Sequence, residues 1–230
     1  MANIEDTGHQ LAELIKKYDA DYIEARLEES QSSHITYRGK NLESVNKNTA
    51  SGGNVRALVR GGWGFVSFNS LDGLPDRIES AIKQAKAVGN EESQLAEVEP
   101  AVETVPALIN NDPMAMPLAD KKQLLDEYNE IIWSTPGIQT STIGYGDGHK
   151  RVIFMNSSGS YIEQERTDVT LRLTAVAARD NNVQQVGLSL GSRGDFAAIL
   201  GLNSKVKQMA QRAVELLSSP QVKGDRKSVV

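Results

Sequence analysis

The chain contains no cysteine among its 230 residues, and this absence removes several kinds of chemistry at once. Without a thiol there can be no disulfide framework, no thiolate zinc site, no iron–sulfur cluster and no cysteine nucleophile. Histidine is scarce as well. The three histidines are far apart in sequence and form neither an i, i+4 pair nor an H-E-x-x-H run, so a metal site would have to be assembled by the fold alone.

Long apolar runs and an excess of basic residues are also missing. No stretch approaches the ~20 apolar residues that cross a bilayer, and the start of the chain lacks the basic and apolar regions of a signal peptide. Lys and Arg number 25 against 30 Asp and Glu, which gives a formal net charge of −5. Phosphate binding needs clustered Lys and Arg. We therefore expect a soluble, cytoplasmic protein with no membrane contact and no direct nucleic-acid partner.

Hydrophobic spacing in the first 88 residues predicts a helix, several strands and a second helix. Apolar residues at i, i+3, i+4 and i+7 favour a helix over residues 4–18. Period-two alternation then predicts half-buried strands around residues 23–27, 35–37 and 55–59, and a strand over 63–68 after a Gly61-Gly62 hairpin turn. The second helix follows Asp72-Gly-Leu-Pro75, which places proline in its first turn.

Between residues 89 and 117 the composition changes to Glu, Asn and Pro. The prolines at 100, 106, 113 and 117 should break any regular ladder or helix, so we predict a linker or an extended strap. After it the spacing predicts a helix over 124–132, strands over 138–144 and 151–156, a clear strand over 169–177, another over 184–190 and a last helix over 206–217. Gly146-Asp-Gly148 and Ser157-Ser-Gly159 are interpreted as turns.

The order helix, strands, helix thus occurs twice, without any repeat at the level of residues. Hairpin-like turns between the strands favour an α+β fold in which antiparallel sheets have helices packed on one face. We divide the chain into an N-terminal α+β half (1–88), a proline-rich linker or strap (89–117) and a second α+β half (118–230). Residues 227–230 resemble the opening of a buried strand, and we expect that the chain is truncated there or ends natively inside that strand.

The histidines and one serine are the first residues to consider for chemistry. His9 near a helix start, His34 on a polar strand face and His149 in a predicted turn are each interpreted as surface residues. The run Gly187-Leu-Ser189-Leu-Gly191 matches the G-x-S-x-G nucleophile pattern. No histidine lies downstream of it, and Ser189 fits a polar strand position between apolar neighbours. We therefore interpret Ser189 as structural.

Three further groups of residues have a functional and a structural interpretation. Gly144-Tyr-Gly146-Asp-Gly148 could cradle a phosphate, but it lies between strands and not at a helix N-terminus, so turn chemistry accounts for it better. Acid–base groups could be drawn from Glu163, Glu165, Asp168 and Arg166, although alternating charges on a solvated or interface strand are favoured. A base-stacking platform could be drawn from Trp63, Phe65 and Phe68, although a packed core or interface is favoured.

Four segments in a fixed order resemble the N-terminal region of the TldD/PmbA family, closer to its TldD-like branch. They are Asp21-Tyr-Ile-Glu-Ala-Arg-Leu-Glu-Glu-Ser30, Leu42-Glu-Ser-Val45, Gly53-Asn-Val-Arg-Ala-Leu-Val-Arg-Gly-Gly-Trp-Gly-Phe65 and Ile162-Glu-Gln-Glu-Arg-Thr-Asp168. Each segment alone is a strand of ordinary composition, but the ordered set is specific. The resemblance covers essentially the whole chain.

The resemblance implies a cytoplasmic, metal-dependent peptidase that trims small or unfolded peptides; older naming calls such proteins modulators of DNA gyrase. It also implies an N-terminal α+β region followed by a β-rich C-terminal domain that holds zinc or a similar divalent metal through a His-Glu-x-x-x-His run and a cysteine. This chain contains neither that run nor any cysteine. We therefore assign it no catalytic residue, no cofactor-binding residue and no metal ligand, and expect it to be inactive alone.

The same resemblance predicts partners, and it leaves one alternative function open. The resemblance implies a peptide substrate for the full-length protein, and a homodimer or a heterodimer with a sister subunit. The alternative is a stand-alone, non-catalytic binding or assembly module. We also expect the chain to associate through apolar surface, including an unpaired strand edge at residues 227–230.

Overall fold

The computed structural model describes residues 4–93 and 95–220. Within this part of the chain there are four α-helices, seven strands and one 3-10 helix. In chain order they are α1 (Ile4–Ile15), β1 (Tyr22–Arg38), β2 (Asn41–Val59), β3 (Gly62–Phe68), α2 (Leu74–Val88), β4 (Val102–Val105), α3 (Leu118–Trp133), β5 (Ile138–Asn156), β6 (Tyr161–Arg179), β7 (Asn182–Arg193), the 3-10 helix (Phe196–Ile199) and α4 (Asn203–Leu216). None of the described helices is long and apolar enough to cross a membrane.

All seven strands belong to one sheet. The strands β3, β2, β1, β5 and β6 lie side by side in that order, and β4 and β7 both pair with β6. Every pairing is antiparallel except that of β4 with β6, which is parallel. The α+β class and the doubled order of helix, strands and helix are confirmed. The predicted antiparallel strands of both halves form a single sheet, because β1 of the first half pairs with β5 of the second along its length.

The four helices cover one face of this sheet and divide its core in two. In β1, Ile23, Ala25 and Leu27 lie in the core under α1 and α2, while Ile35 and Tyr37 lie in the core with α3 and α4. Odd-numbered residues of one strand share a face, so both pairs of helices pack on the same side. In β1, β5 and β6 the opposite face carries the even-numbered residues, which are mostly polar, charged or glycine.

The glycine-rich run in the second half is strand and not turn, so that prediction is wrong. β5 continues through Gly144, Gly146 and Gly148, and it pairs with β1 on one side and β6 on the other. The alternating Tyr145 and Asp147 point into the buried face. Ladder hydrogen bonds on both sides and two buried side chains outweigh the low strand propensity of glycine.

Several predicted boundaries also move when the strands pair. β1 is one continuous strand where two were predicted, and β2 begins at Asn41, well before the predicted start at residue 55. The hairpin turn between β2 and β3 is confirmed but lies at Arg60 and Gly61, whose φ angles are 48° and 79°. These positive angles match a turn whose twist suits paired strands. α1 ends at Ile15, three residues before the predicted end.

The proline-rich segment is extended and largely exposed, but the prediction that its prolines break any ladder is wrong for four residues. Between Pro100 and Pro106, β4 pairs in parallel with β6 from Val102 opposite Tyr161 to Val105 opposite Gln164. The Tyr161 N–H also donates to the Ala101 carbonyl at 2.8 Å. Proline lacks a donor only at its own position, so four residues between two prolines can still pair.

Limited proteolysis should cut the strap before β4 first. Residues 95–100 are all exposed, and the Val98 side chain is 77% accessible. We expect elastase to cleave after Ala96 or Val98 before it cleaves any other internal site, because exposed extended backbone fits a protease cleft without local unfolding. Mass spectrometry identifies the cut.

The two nicked fragments should then elute together in size exclusion, because β1 and β5 lie on opposite sides of the cut and remain paired. First cleavage within a helix or strand of the sheet would contradict the prediction. Fragments that separate without denaturant would contradict the account of the sheet as one unit.

Candidate functional site

The structure places the three histidines in separate environments. His34 is exposed on the open face of β1, as predicted. His9 is exposed on α1 and stacks on the Tyr161 ring, with centroids 4.7 Å apart. His149 lies in β5 and not in a turn, and its Nδ1 is 2.9 Å from the Thr167 hydroxyl. Among residues 4–93 and 95–220, no three His, Asp or Glu side chains form a group that could hold a metal ion.

The serine pattern in β7 is structural, as favoured from the sequence. Ser189 is exposed on the strand opposite Arg172 of β6, and β7 continues to Arg193. A nucleophile elbow needs a sharp turn from strand to helix directly at the serine. The strand extends four residues beyond Ser189, so this local geometry does not form an elbow.

The aromatic group of β3 is divided between core and surface. Phe68 is buried, whereas Trp63 and Phe65 are 41% and 54% exposed on an edge strand. The Arg56 guanidinium lies 4.7 Å from the Trp63 ring centroid and also pairs with Glu24 at 2.9 Å. The arginine beside these rings is thus already paired with a carboxylate and is not available to a nucleic-acid phosphate. The exposed rings therefore fit the interface interpretation better than a base-stacking platform.

The acidic residues of β6 pair with a basic residue that the sequence did not indicate. Glu163 binds Arg151 of β5 through a 2.6 Å hydrogen bond from Nε, and Glu5 of α1 accepts from the same guanidinium at 2.8 Å. The Glu165 carboxylate lies 3.9 Å from the Arg151 Nε. Arg166 pairs with Asp168 at 2.5 Å on the opposite face. Burial works to lower the pKa of Arg151, but the Glu5 and Glu163 carboxylates outweigh it and the pKa is raised. The cluster joins α1 to the sheet by charge.

A second charged cluster is fully buried and was missed from the sequence. The Lys121 Nζ of α3 lies 2.5 Å from the Asp147 carboxylate of β5, and the two side chains are 3% and 0% exposed. The Tyr145 hydroxyl donates to the same carboxylate, and the Ser33 N–H of β1 donates to its other oxygen at 3.2 Å. Burial and the adjacent carboxylate both raise the pKa of the Tyr145 phenol.

The spacing of α3 contains the signal for this cluster. Lys121 precedes Leu125, Tyr128 and Ile132 on one buried stripe of the helix. A lysine at that position must bury its charge and find a partner. Because the pair is closed to solvent and its two charged groups bind each other, it offers no group to a substrate. It is a fold-specifying ion pair that fixes α3 over the centre of the sheet.

Breaking this pair from one side should be costly, whereas neutralising both sides should be less so. We expect Lys121→Met to lower the free energy of unfolding by about 3–5 kcal/mol, because Asp147 is then left buried without a cation. Lys121→Met/Asp147→Asn should regain part of this loss, since the amide oxygen can still accept from Ser33. Urea unfolding followed by circular dichroism measures each value.

The matched control is the neighbouring pair Lys122–Asp126, 2.6 Å apart on the same helix but 43% and 39% exposed. Lys122→Met should cost less than about 1 kcal/mol, because exposed ion pairs contribute little. Equal losses for Lys121→Met and Lys122→Met, or a double variant no more stable than Lys121→Met alone, would show that the buried pair does not act as described.

Similarity to solved structures supports the observed fold over nearly the whole chain. A protein from Thermotoga maritima described as a modulator of a DNA gyrase superposes with a TM-score of 0.76 at 17% identity, covering 96% of this chain and 50% of that one. TldE from Thermococcus kodakarensis superposes with a TM-score of 0.67 at 16% identity, covering 92% of this chain and 47% of that one. At these identities the likeness shows the fold alone.

Sequence comparison gives the family. A metalloprotease from Synechocystis sp. is 38% identical over 224 residues, which are 96% of this chain and 48% of the relative. A metalloprotease from Methanothermobacter thermautotrophicus is 29% identical over 86% of this chain and 44% of its own length. The chain thus spans about half the length of these relatives. Residues 23–88 match the family model for PmbA/TldA metallopeptidase domain 1, and residues 111–219 match that for the central domain. The chain therefore belongs to the PmbA/TldD metallopeptidase family.

Proposed function

We propose that these 230 residues form the accessory region of a metal-dependent peptidase that cleaves small or unfolded peptides. The observation that carries the proposal is a match to the first two domains of a metallopeptidase family in a chain that spans about half of its relatives. The catalytic metal, zinc or a similar divalent ion, is then held by the region that corresponds to the other half of those relatives.

The donor set of the described residues does not fit a catalytic metal. A zinc site of this kind needs three protein ligands and an open position. The strongest carboxylate group, Glu5 with Glu163 and Glu165, is gathered around the Arg151 guanidinium, which occupies the place where a cation would sit. We derive no catalytic step from this region. Its role in the proposal is to supply a rigid sheet and a binding surface beside the catalytic part.

Metal content and hydrolysis test this proposal together. The dialysed 230-residue chain should retain no stoichiometric metal by mass spectrometry, and it should not hydrolyse fluorescently quenched casein with added Zn²⁺ or Mn²⁺. A longer protein that joins this chain to the second half of the Synechocystis relative should retain a stoichiometric metal and should hydrolyse the casein. One tightly held metal per 230-residue chain, or hydrolysis by that chain that EDTA abolishes, would overturn the proposal.

We further propose that the region associates, as a homodimer or with a homologous sister subunit. Four exposed aliphatic side chains of the strap supply apolar surface for this contact. They are Leu95, Val98, Val102 and Ile109. Contiguous exposed apolar surface is typical of protein–protein contact sites.

Light scattering coupled to size exclusion tests association of the isolated chain. We expect a concentration-dependent dimer that Val98→Ser/Val102→Ser weakens by reducing apolar area at the contact. Val183→Ser is the control, since Val183 is 61% exposed on β7 and lies outside the strap. A monomer up to millimolar concentration would contradict association of identical chains, and equal effects of both variants would contradict the role of the strap.

A further inference from the structure

The edge of the sheet beside β6 is interrupted, and a cavity of about 450 Å³ lies at the interruption. β4 pairs with β6 as far as Gln164, and β7 begins to pair with it at Asp168. Residues 165–167 of β6 therefore have no strand beside them on this edge. The strap turns away after Val105 and forms the far wall of the cavity with Leu108. A volume of this size suits a small ligand or the end of a peptide.

Backbone contacts hold the wall of this cavity in place. The Asn110 N–H donates to the Gly194 carbonyl, and the Gly194 N–H donates to the Thr167 carbonyl, each at 2.9 Å. Gly194 has a φ of 64°, and a Cβ added there would lie 1.9 Å from the Leu108 carbonyl oxygen. Only glycine permits both the backbone conformation and this close approach. The strap is thereby fixed to the end of β7, and the cavity is formed in advance of any ligand.

The cavity combines an aliphatic wall with one arginine that forms no ion pair. Val105 and Leu108 are 47% and 85% exposed. Of the charged residues that line the cavity, Arg166 is paired with Asp168, and Glu165 faces Arg151. Arg193 also lines the cavity and lies opposite Asp168 in the ladder. The Asp168 carboxylate is held by Arg166, and no carboxylate within the described residues forms an ion pair with Arg193. A ligand that suits this site is apolar on one side and carries a carboxylate.

We propose that this cavity binds the C-terminal end of an extended peptide, with the terminal carboxylate on Arg193 and an aliphatic last side chain against Val105 and Leu108. The choice of a peptide rests on the proposed function. The gap is three residues long and is closed by β4 at one end and β7 at the other, so a chain can enter it by an end but cannot run through it.

The charge selects which end of the peptide enters. A guanidinium presents a planar fork of donors that matches a carboxylate, whereas a peptide amino terminus carries the same charge as Arg193. The Thr167 carbonyl already accepts from the Gly194 N–H. The other backbone groups of residues 165–167 that face this edge can hydrogen-bond to the main chain of the last residue, as in strand addition to a sheet edge. Specificity then comes from the carboxylate and from the aliphatic side chain.

Fluorescence anisotropy with two probe peptides tests the site directly. The first probe is the N-terminally fluorescein-labelled peptide Gly-Ser-Ala-Ala-Val-Leu with a free carboxylate, and the second is the same peptide as its C-terminal amide. In buffer with EDTA, the purified 230-residue chain should bind the acid at least about tenfold more tightly than the amide, since only the acid can form the charged pair. Unlabelled N-acetyl-leucine should compete more weakly than the unlabelled acid peptide, because it lacks the main chain that the open edge would bind.

Variants separate the charge from the apolar wall. Arg193→Gln should weaken binding of the acid to the level of the amide and leave the amide unchanged. Leu108→Ser should weaken both probes by similar factors. Arg172→Gln is the matched control, because Arg172 is an exposed arginine on the same sheet face and does not line the cavity. It should change neither affinity.

Three results would overturn the inference: equal affinity for acid and amide, unchanged acid binding by Arg193→Gln, or no saturable binding of either probe at millimolar chain. Because binding is measured in EDTA and without hydrolysis, failure here leaves the proposed peptidase function standing. Conversely, acid-selective binding by this chain, together with no hydrolysis of casein by the longer protein, would support the cavity and overturn the proposed peptidase function.

Discussion

The pairing of β1 with β5 is the constraint on which the rest of the molecule depends. It runs from Glu24 opposite Asn156 to Arg38 opposite Thr142 and, within the described chain, is the only pairing of a strand of the first half with a strand after the strap. Both halves of the core use odd-numbered residues of these two strands. A shift of one residue would turn one strand's buried side chains to the open face, so the register determines both cores together.

The buried pair of Lys121 and Asp147 reinforces this register from one side. Asp147 accepts from the Ser33 N–H of β1 as well as from Lys121 of α3, so one carboxylate connects the two central strands and a helix above them. An apolar contact at the same place would tolerate a shift of two residues, which keeps the same face of the strand buried. A buried charge does not tolerate that shift, because it would lose its partner. The buried ion pair therefore contributes more to the choice of register than to the free energy of folding.

Local spacing was enough to predict most elements, and it failed where distant segments decide. The strand β6 and the buried apolar faces of α2 and α4 follow from the spacing of apolar residues alone. Gly144, Gly146 and Gly148 were assigned to a turn because nothing local shows that β1 and β6 lie on either side. The partner of Glu163 was missed for the same reason, since Arg151 is opposite it only after pairing. The cavity at Arg193 cannot be predicted from local sequence either, because its walls come from three separate segments: the strap, β6 and the end of β7. The sequence predicted the family from four segments in a fixed order, whereas no residue that the structure describes has a geometry that indicates a catalytic role.

The length of chain between β1 and β5 has a consequence for synthesis. Ser33 and Asp147, which meet across this pair, are 114 residues apart in sequence. At ribosomal rates the partner strand emerges on the order of ten seconds after β1. During that interval α1, α2 and the first three strands can assemble by local contacts, but the inner edge of β1 stays open, with its backbone groups unpaired. The nascent chain is therefore most vulnerable to wrong strand pairing while the strap and α3 are being made, and folding of the whole sheet is limited by a contact of long sequence separation.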